Sequence, residues 1–458
     1  MKRERLVLSF YGDDFTGSTD VMEALSVNGL RTALFFRMPT SALLQQFPHL
    51  DCFGVAGVGR SLSVAGMEEL LPAIFRQLQA FGTPIVHYKI CSTFDSSPEI
   101  GSIGKAIDIG REVFREQPVI PLLVGVPILK RYTVFGQLFA SVGTRTYRLD
   151  RHPTMSKHPI TPMKEADLRV HLARQTDSRI SLMDVVQMNG EMEEVHARYK
   201  EILSGERPDV LLFDVLDDEH LRRAGQLIWQ EAARGQRFVV GSSGVEYALA
   251  AHWAQAGLIA SGQQRKGAFG KADRLIALSG SCSPVTMRQI QYALNEGFEG
   301  LKVPVDDLLD EGKQEETKAR IYAQALRILE DGGSPLIYTA FGPDDSSIDR
   351  TKRLSFLRGW DSAETGKIIA SHLGRVVRRL LERTDVRRLL IAGGDTSGYA
   401  AQELGLYGME MIAPISPGGP LCRAFSDQAK FHGLEVALKG GQVGEPDYFV
   451  SVRDGIPN

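Results

Sequence analysis

The chain has 458 residues, of which 43% are hydrophobic and 24% are charged, and its formal net charge is −3. This length exceeds what one compact core usually holds, so it predicts two large domains or three small ones. The near-neutral charge argues against a dedicated nucleic-acid binder, which is usually strongly basic, but allows a local basic patch that binds a small anion.

The N-terminus and the cysteines indicate where the protein works. The opening sequence MKRERLVLSFYGDD has a basic start but only a short apolar run before two acids, so we expect no signal peptide. We find no run of about 18 apolar residues and therefore expect no membrane span. The four cysteines are scattered, without a CxxC pair or a metal-binding spacing, which favours a reduced cytoplasm.

Strand-like and helix-like runs alternate through the first half of the chain. The buried run RLVLSF predicts a strand, and the helix that follows through DVMEALSVNG can end at Gly29. The further strands are RTALFF, CFGVAG, TPIVHYK, VIPLLVGVP, DVLLFDV and RFVVGSS, and the further helices are AGMEELLPAIFRQLQAFG, IGKAIDIGREVF and EHLRRAGQLIWQEAARG. This alternation predicts a mainly parallel sheet with helices on its faces.

Two segments interrupt the alternation. TYRLDRHPTMSKHPITPMKEADL, which begins at Thr146, contains three prolines and is predicted to be an excursion loop. SGQQRKGAFGKAD, residues 261–273, is polar and rich in glycine, as linkers are. We therefore place one domain at 1–260 and the other at 274–458.

The second half starts a new series of strands and helices. RLIALSG and PLIYTAFG predict strands, VTMRQIQYALNEG and GKIIASHLGRVVRRLLER predict helices, and RRLLIAGGDTSG predicts a strand followed by a loop. The predicted fold class is therefore α/β, with two domains that are each a mainly parallel sheet flanked by helices.

Glycine and hydroxyl side chains follow several strands of the second half, where α/β proteins bind ligands. SGSCSPVT contains Gly280, AGGDTSG contains Gly393, Gly394 and Asp395, and PGGPLC and LKGGQVG add two more loops. Backbone N–H groups at such turns can face an anion, so several of them together predict a polyphosphate site. One such loop alone would be an ordinary turn. The Walker A pattern and a strand-associated GxGxxG are both absent.

The strand ends of the first half suit a small polyhydroxy acid. Asp13 and Asp14 can accept hydrogen bonds from sugar hydroxyls, or one can act as a general base, although one can equally cap the next helix. Basic side chains can pair with a carboxylate and hydroxyls can add directional bonds, and the candidates are Arg60, Lys89, Ser92 and Thr93. For Arg60 or Lys89 alone, a solvated surface charge is the commoner role. Cys91 is interpreted as a small packing residue rather than a catalytic thiol.

Taken together, these motifs resemble the four-carbon acid sugar kinases. DDFTGSTD is similar to the DDxTGxxD opening of that family, and the likeness continues through KICSTFDSS, HPITPMKEADL, SGSCSPVT, AGGDTSG and GGPLC in the family's order. The resemblance spans nearly the whole chain. It implies ATP-dependent phosphorylation of the terminal hydroxyl of a four-carbon sugar acid. It also implies an N-terminal substrate domain and a C-terminal nucleotide domain, with the reaction in the cleft between them.

The resemblance also implies which residues form the sites. The acid sugar is expected at Asp14, Arg60, Lys89, Ser92 and Thr93, and ATP at Ser279, Ser281, Gly394, Asp395, Thr396 and Gly440. Mg²⁺ is expected to bridge the phosphates. Asp395 or Asp14 would accept the proton or orient the nucleophile, and both assignments stay open. LKGGQVG departs from the KSGNFG-like form of many members, which bears on any side-chain contact at position 440.

The excursion DRHPTMSKHPITPM favours the threonate-type branch, so the predicted reaction converts D-threonate to 4-phospho-D-threonate. D-erythronate and 3-oxo-tetronate are the alternative substrates. More remote alternatives are an NAD-dependent sugar-acid dehydrogenase and a non-catalytic sugar-acid-binding protein. The expected partners are a sugar acid and ATP, without nucleic acid or membrane, and a homodimer is the commonest assembly for such enzymes.

Overall fold

A computed structural model describes residues 6–158, 160–259 and 269–455, without the side chains of Ala363 and Asp395. The chain divides into two compact units, Met1–Gln264 and Arg265–Asn458. Of the predicted linker 261–273, only residues 269–273 are among those described. None of the described helices is both long enough and apolar enough to cross a bilayer.

The first unit contains a parallel sheet and a small antiparallel one. The parallel sheet has the strand order β2-β3-β1-β4-β11-β5-β10-β9, and β6-β7-β8 form the antiparallel sheet. The strands are β1 (Leu8–Gly12), β2 (Thr32–Phe35), β3 (Cys52–Ala56), β4 (Ile85–Lys89), β5 (Ile120–Leu123), β6 (Arg131–Val134), β7 (Gln137–Val142), β8 (Arg145–Arg148), β9 (Ile180–Met183), β10 (Val210–Phe213) and β11 (Arg237–Gly241).

Helices connect these strands, as the alternating pattern predicts. They are α1 (Phe15–Val27), α2 (Ser41–Gln45), α3 (Val64–Ala80), α4 (Ile103–Val113), α5 (Leu168–Leu172), α6 (Met192–Gly205), α7 (Asp218–Ala232) and α8 (Gly244–Gln255). The sequence did not predict helices α2, α5, α6 and α8 or strands β6, β7 and β9. The predicted helix after the first strand begins earlier than expected, because Asp14 caps it by accepting a hydrogen bond from Gly17 N at 2.7 Å.

The antiparallel sheet corrects part of the predicted excursion loop. Strand β8 already includes Thr146, since it pairs with β7, and short 3₁₀ turns follow at Leu149–Arg151 and Met155–Lys157. The hairpin between β6 and β7 turns through Phe135 and Gly136, whose φ angles are 52° and 77°. Two successive positive φ angles are typical of a type I′ turn, which matches the twist of the paired strands.

The second unit contains a sheet of the order β13-β14-β12-β15-β18-β17-β16, in which the first five strands are parallel and the last two antiparallel. Its strands are β12 (Ile276–Ser279), β13 (Phe298–Lys302), β14 (Ser334–Tyr338), β15 (Arg388–Ala392), β16 (Leu406–Ala413), β17 (Leu421–Ser426) and β18 (Glu435–Lys439). Its helices are α9 (Pro284–Asn295), α10 (Val305–Leu309), α11 (Gln314–Glu330), α12 (Ser346–Arg358), α13 (Ser362–Arg383), α14 (Gly394–Glu403) and α15 (Tyr448–Asp454). The mixed α/β fold with mainly parallel sheets confirms the predicted class.

The loop predicted within GGDTSG is largely helical. Helix α14 begins at Gly394, directly after β15, so Asp395 and Thr396 lie in its first turn. Gly393 makes this abrupt change possible, since its φ angle of 125° is accessible to glycine but not to most other residues. Helix α9 begins at Pro284 behind an N-cap serine, Ser283, as the pattern SGSCSPVT suggests.

Candidate functional site

Three strands of the first unit, β1, β3 and β4, end next to one another, and the polar side chains that follow them form what we call the polar cluster. Strand β1 lies between β3 and β4, and its last residue, Gly12, is in register with Ala56 and Lys89. The backbone continues this alignment beyond the strands, because Asp13 N donates to Lys89 O at 2.9 Å and Arg60 N donates to Asp13 O at 2.9 Å. These bonds fix the side chains that follow each strand at one edge of the sheet.

Arg60 binds both aspartates of the opening motif. Its Nε and Nη2 donate to the two carboxylate oxygens of Asp13 at 3.2 and 2.8 Å, and its Nη1 lies 2.8 Å from Asp14 Oδ2. Burial raises the pKa of Asp13, although the charge of Arg60 works against this. Burial lowers the pKa of Arg60, but its partners outweigh that effect and raise it, so the guanidinium stays charged. The cluster thus contains a fixed positive charge between two acids.

Lys89 forms the second basic centre of the cluster. It is 2% exposed, its Nζ donates to Ile90 O at 2.8 Å, and Asp20 Oδ2 lies 4.0 Å away. Burial raises the pKa of Asp20, and the charge of Lys89 opposes the increase. A Cβ added at Gly17 would lie 2.9 Å from Nζ and 2.5 Å from Asp14 Oδ1, so this glycine lets α1 approach both groups.

The loop after β4 supplies hydroxyl groups. Thr93 is buried, and its Oγ1 donates to Asp95 Oδ1 at 2.8 Å, while Ser92 is partly exposed. Phe94 has a φ angle of 57°, an uncommon conformation for a bulky side chain. Burial raises the pKa of Cys91 to about 11, so the thiol is protonated near neutral pH and fits the packing role predicted for it.

Sequence reasoning missed two acids of this cluster, Asp20 and Asp95. The signal for Asp20 is present in the motif itself, since DDFTGSTD contains a third aspartate six residues beyond Asp14. Asp95 lies two residues beyond Thr93 in KICSTFDSS, so the same loop carries its signal. Within residues 6–158, 160–259 and 269–455, no three His, Cys, Asp or Glu side chains lie close enough together to hold a metal ion.

Three glycine-rich turns of the second unit lie side by side. Strands β12, β15 and β18 are adjacent and parallel, with Ser279, Ala392 and Lys439 in register at their ends. A Cβ added at Gly280 would lie 2.1 Å from Thr396 Oγ1, and one at Gly441 would lie 2.5 Å from Ser281 Oγ. The turns therefore contact one another through bare backbone, which also lets a ligand approach the main chain closely.

The predicted nucleotide residues occupy these three turns. Ser279 is buried at the end of β12, and its hydroxyl has no hydrogen-bond partner among the described residues. Ser281 lies in the turn before α9, and its Oγ accepts from Ser283 N at 3.2 Å. Gly394 and Thr396 are partly exposed at the start of α14, and Gly440 is buried at the start of the turn after β18. The side chain of Asp395 lies outside the described part of the structure.

Helix α9 anchors the turn after β18. Thr286 Oγ1 donates to Gly441 O at 2.8 Å, and Ser283 Oγ donates to the same oxygen. Further along the helix, the Gln289 side-chain nitrogen contacts three successive carbonyl oxygens, those of Val443, Gly444 and Glu445, at 3.0, 2.9 and 2.9 Å. These contacts were not predicted, because they join segments that are more than 150 residues apart in the sequence.

Each unit matches a family model that describes its function. Residues 8–249 match a sugar-binding N-terminal domain, and residues 276–449 match a nucleotide-binding C-terminal domain. The polar cluster lies within the first match and the three glycine-rich turns lie within the second. The class of protein is therefore one that combines a sugar-binding domain with a nucleotide-binding domain.

Relatives over the full length of the chain are kinases. A 3-oxo-isoapionate kinase from Paraburkholderia graminis is 44% identical over 98% of this chain and 94% of its own. The 3-oxo-tetronate kinases from Pectobacterium atrosepticum and Methylobacterium radiotolerans are 28% and 29% identical, over 97% and 98% of this chain and 98% and 99% of theirs.

Solved structures show the same architecture. Crystal structures of proteins from Salmonella typhimurium LT2 and Haemophilus influenzae give TM-scores of 0.78 and 0.72, each at 25% identity and covering 97% of this chain and 98% of the other. The chain belongs to the four-carbon acid sugar kinase family. This confirms the resemblance found in the motifs, and with it the predicted enzyme class, a phosphotransferase with an alcohol group as acceptor.

Proposed function

We propose that this chain transfers the γ-phosphoryl group of ATP to a terminal hydroxyl of a short 3-oxo sugar acid, the class of substrate named in its relatives. The observation that carries the proposal is the alignment of three glycine-rich strand ends in the nucleotide-binding domain. The excursion loop favoured D-threonate as the substrate. The 44% identity to a 3-oxo-isoapionate kinase instead favours a 3-oxo acid.

The polar cluster of the first unit would hold the acid. Arg60 is fixed by its two aspartates and keeps further N–H groups for a carboxylate, since a guanidinium has five. Lys89 adds a second positive charge, and Ser92 and Thr93 add hydroxyls that can recognise the oxygens of the chain. Fixing the acid end in this way would hold the substrate in one orientation for the transfer.

Two aspartates remain candidates for the proton of that hydroxyl. Asp14 already uses Oδ1 to cap α1 and Oδ2 to face Arg60, which suits a group that orients the substrate. This arrangement favours Asp395, in the first turn of α14, as the proton acceptor. Phosphoryl transfer depends mainly on positioning and charge compensation, so either role contributes without a covalent intermediate.

The three glycine-rich turns fit a polyphosphate. Their backbones approach closely, and helices α9 and α14 begin there, so N–H groups and helix dipoles favour negative charge. ATP would supply the phosphoryl group. The described side chains form no cluster of three metal ligands, which fits an Mg²⁺ ion held largely by phosphate oxygens and water.

A coupled assay of ADP release tests the proposal with four acids: 3-oxo-isoapionate, 3-oxo-tetronate, D-threonate and D-erythronate. We expect the highest kcat/KM with one of the 3-oxo acids. Preference for D-threonate or D-erythronate would contradict the substrate assignment, and no turnover with any acid would contradict the four-carbon acid class.

The two remote alternatives give different results in a binding assay. A dehydrogenase would be stabilised against heat by NAD, whereas the proposed kinase should be stabilised by ATP with Mg²⁺ and not by NAD. A non-catalytic binding protein would bind the acid without releasing ADP. Stabilisation by NAD alone would therefore overturn the kinase proposal.

A further inference from the structure

Lys439, the last residue of β18, is a buried cation in the nucleotide-binding domain. Only 1% of the residue is exposed. Its Nζ donates to Gly440 O at 2.9 Å and to Thr286 Oγ1 at 3.3 Å, and it lies 5.8 Å from the centre of the Tyr448 ring. No carboxylate among the described side chains forms an ion pair with it, so its charge is solvated by dipoles and an aromatic face alone.

This environment weakens the charged form. Burial lowers the pKa of Lys439 to about 7. Among the described side chains, the titratable group that faces it is Tyr448 on α15, whose hydroxyl donates to Gly419 O. Arg288 on α9 is exposed, on the side of the helix away from Lys439. A buried ammonium without a counter-ion is half neutralised near neutral pH.

The same lysine joins three parts of the nucleotide site. It ends β18, bonds the first carbonyl of the turn 440–445, and bonds Thr286 of α9. Thr286 in turn donates to Gly441 O at 2.8 Å. Since Ser279 and Lys439 are in register with Ala392 between them, both point to the same face of the sheet, where α9 packs.

We infer that Lys439 is a positioning residue of the nucleotide site, whose charged form fixes the turn 440–445 and which takes up a proton when a nucleoside triphosphate binds. The inference rests on the proposed function, because it needs a polyphosphate at these turns. Lys439 Nζ is engaged by Gly440 O and Thr286 Oγ1. It acts through the backbone of the turn and through its charge.

The physical reason is charge compensation. Bound phosphates would bring negative charge towards a buried ammonium for which no described side chain is a counter-ion, and such a charge favours the protonated form. By linkage, protonation then strengthens nucleotide binding by the same factor. ATP affinity should therefore fall as pH rises above about 7, the pKa of the lysine in the free protein.

Calorimetry on the intact wild-type protein measures this proton directly. ATP with excess Mg²⁺ and no sugar acid is titrated at pH 8 and at pH 6, in two buffers of different ionisation enthalpy. We expect uptake of close to one proton at pH 8, where a lysine with a pKa about 7 is mostly neutral, and little at pH 6. Binding without proton uptake at pH 8 would overturn the inference.

Two variants separate charge from anchoring. Lys439→Met keeps the volume but removes the charge, and should lose the proton uptake and weaken ATP binding about ten-fold or more. Thr286→Val removes the hydroxyl that bonds Lys439 Nζ and Gly441 O but keeps the lysine, and should weaken ATP binding while retaining the uptake. Wild-type uptake in Lys439→Met would refute the charge role, and unchanged ATP affinity in Thr286→Val would refute the anchoring role.

Failure of this inference differs from failure of the proposed function. If the wild-type protein does not bind ATP at all, the proposed function is wrong. If it binds ATP and phosphorylates a sugar acid without taking up a proton, only the assignment of Lys439 is wrong. Lys439→Arg provides a further control, because its guanidinium stays charged and the variant should bind ATP without proton uptake.

Discussion

The guanidinium of Arg60 faces the carboxylate of Asp13 in a bidentate pair, with Nε 3.2 Å from Oδ2 and Nη2 2.8 Å from Oδ1. Asp13 is 3% exposed, so its charge depends on this partner. The pair joins the first strand of the chain to the turn after the third, across 47 residues of sequence.

Removal of Arg60 should therefore destabilise the first unit. Arg60→Met leaves a buried acid without its counter-ion, and we expect the free energy of unfolding in urea to fall by about 3 kcal/mol. In the double variant Arg60→Met with Asp13→Asn, the free energy of unfolding should fall by less than the sum of the decreases in the two single variants. Strict additivity would show that the pair contributes nothing to stability.

Lys89→Ala tests the assignment of the two domains. The lysine belongs to the sugar-binding match, and its loss removes a positive charge close to Asp20 and Gly17. We expect the KM for the sugar acid to rise about ten-fold or more, with the KM for ATP little changed. A change in the KM for ATP alone would show that the two sites are assigned to the wrong domains.

Asp395→Asn and Asp14→Asn distinguish the two candidate bases. Loss of a general base typically costs about 10²–10⁴-fold in rate, so the proposal predicts a fall of that size in kcat for Asp395→Asn, with the substrate KM little changed. Asp14→Asn keeps a good helix cap and should chiefly raise the KM for the acid. An unaltered kcat in Asp395→Asn would remove that residue from the chemistry.

Gly280→Ala should impair the nucleotide site. The added Cβ would lie 2.1 Å from Thr396 Oγ1, so the turn after β12 and the start of α14 must separate. We expect the KM for ATP to rise about ten-fold, in the range of a 1–2 kcal/mol loss of binding. Gly366→Ala is the matched control in the same unit, because nothing lies within 4 Å of its added Cβ. Equal ATP kinetics in the two variants would contradict the prediction.

The stability of the first unit should depend on pH through Asp214. Burial raises the pKa of Asp214 to about 6, from 3.8, and its Oδ1 accepts from Gly136 N at 3.0 Å in the β6–β7 hairpin. The folded state holds an extra proton between these two values, so the free energy of unfolding should fall as pH rises through this window. The total change is about 3 kcal/mol.

Asp214→Asn removes that proton equilibrium. The variant should lack this part of the pH dependence and be more stable than the wild type at pH 7, since the neutral amide suits the buried position. Urea unfolding of the wild type and of Asp214→Asn at pH 4, 5 and 7 measures how the free energy of unfolding of each protein changes with pH. The same slope in the two proteins would show that Asp214 does not titrate in this window.

The sequence predicted the alternation of strands and helices, but it missed several elements, among them β13, β17, α11 and α12, and it misplaced where some others begin. Phe15, Thr16 and Gly17 are poor helix formers, yet α1 includes them because Asp14 caps the helix in front of them. Likewise, two glycines suggested a loop before Asp395, whereas the φ angle of Gly393 lets α14 start at once.

The site residues were predicted by type, but their contacts were not. Arg60 was expected to be available for a carboxylate, and nothing in the sequence indicates that Asp13 and Asp14 both hold it. Such pairs depend on which strands become neighbours in the sheet. That order is set by packing of the whole domain rather than by local propensity.

The contacts of Gln289 with the turn after β18 all end on main-chain oxygens, those of Val443, Gly444 and Glu445. The attachment of this turn to α9 through Gln289 therefore does not depend on which side chains the turn carries. The side chains of KGGQVG differ from those of the KSGNFG-like form, so the two forms can present different groups to a ligand. The contacts with α9 can nevertheless stay the same.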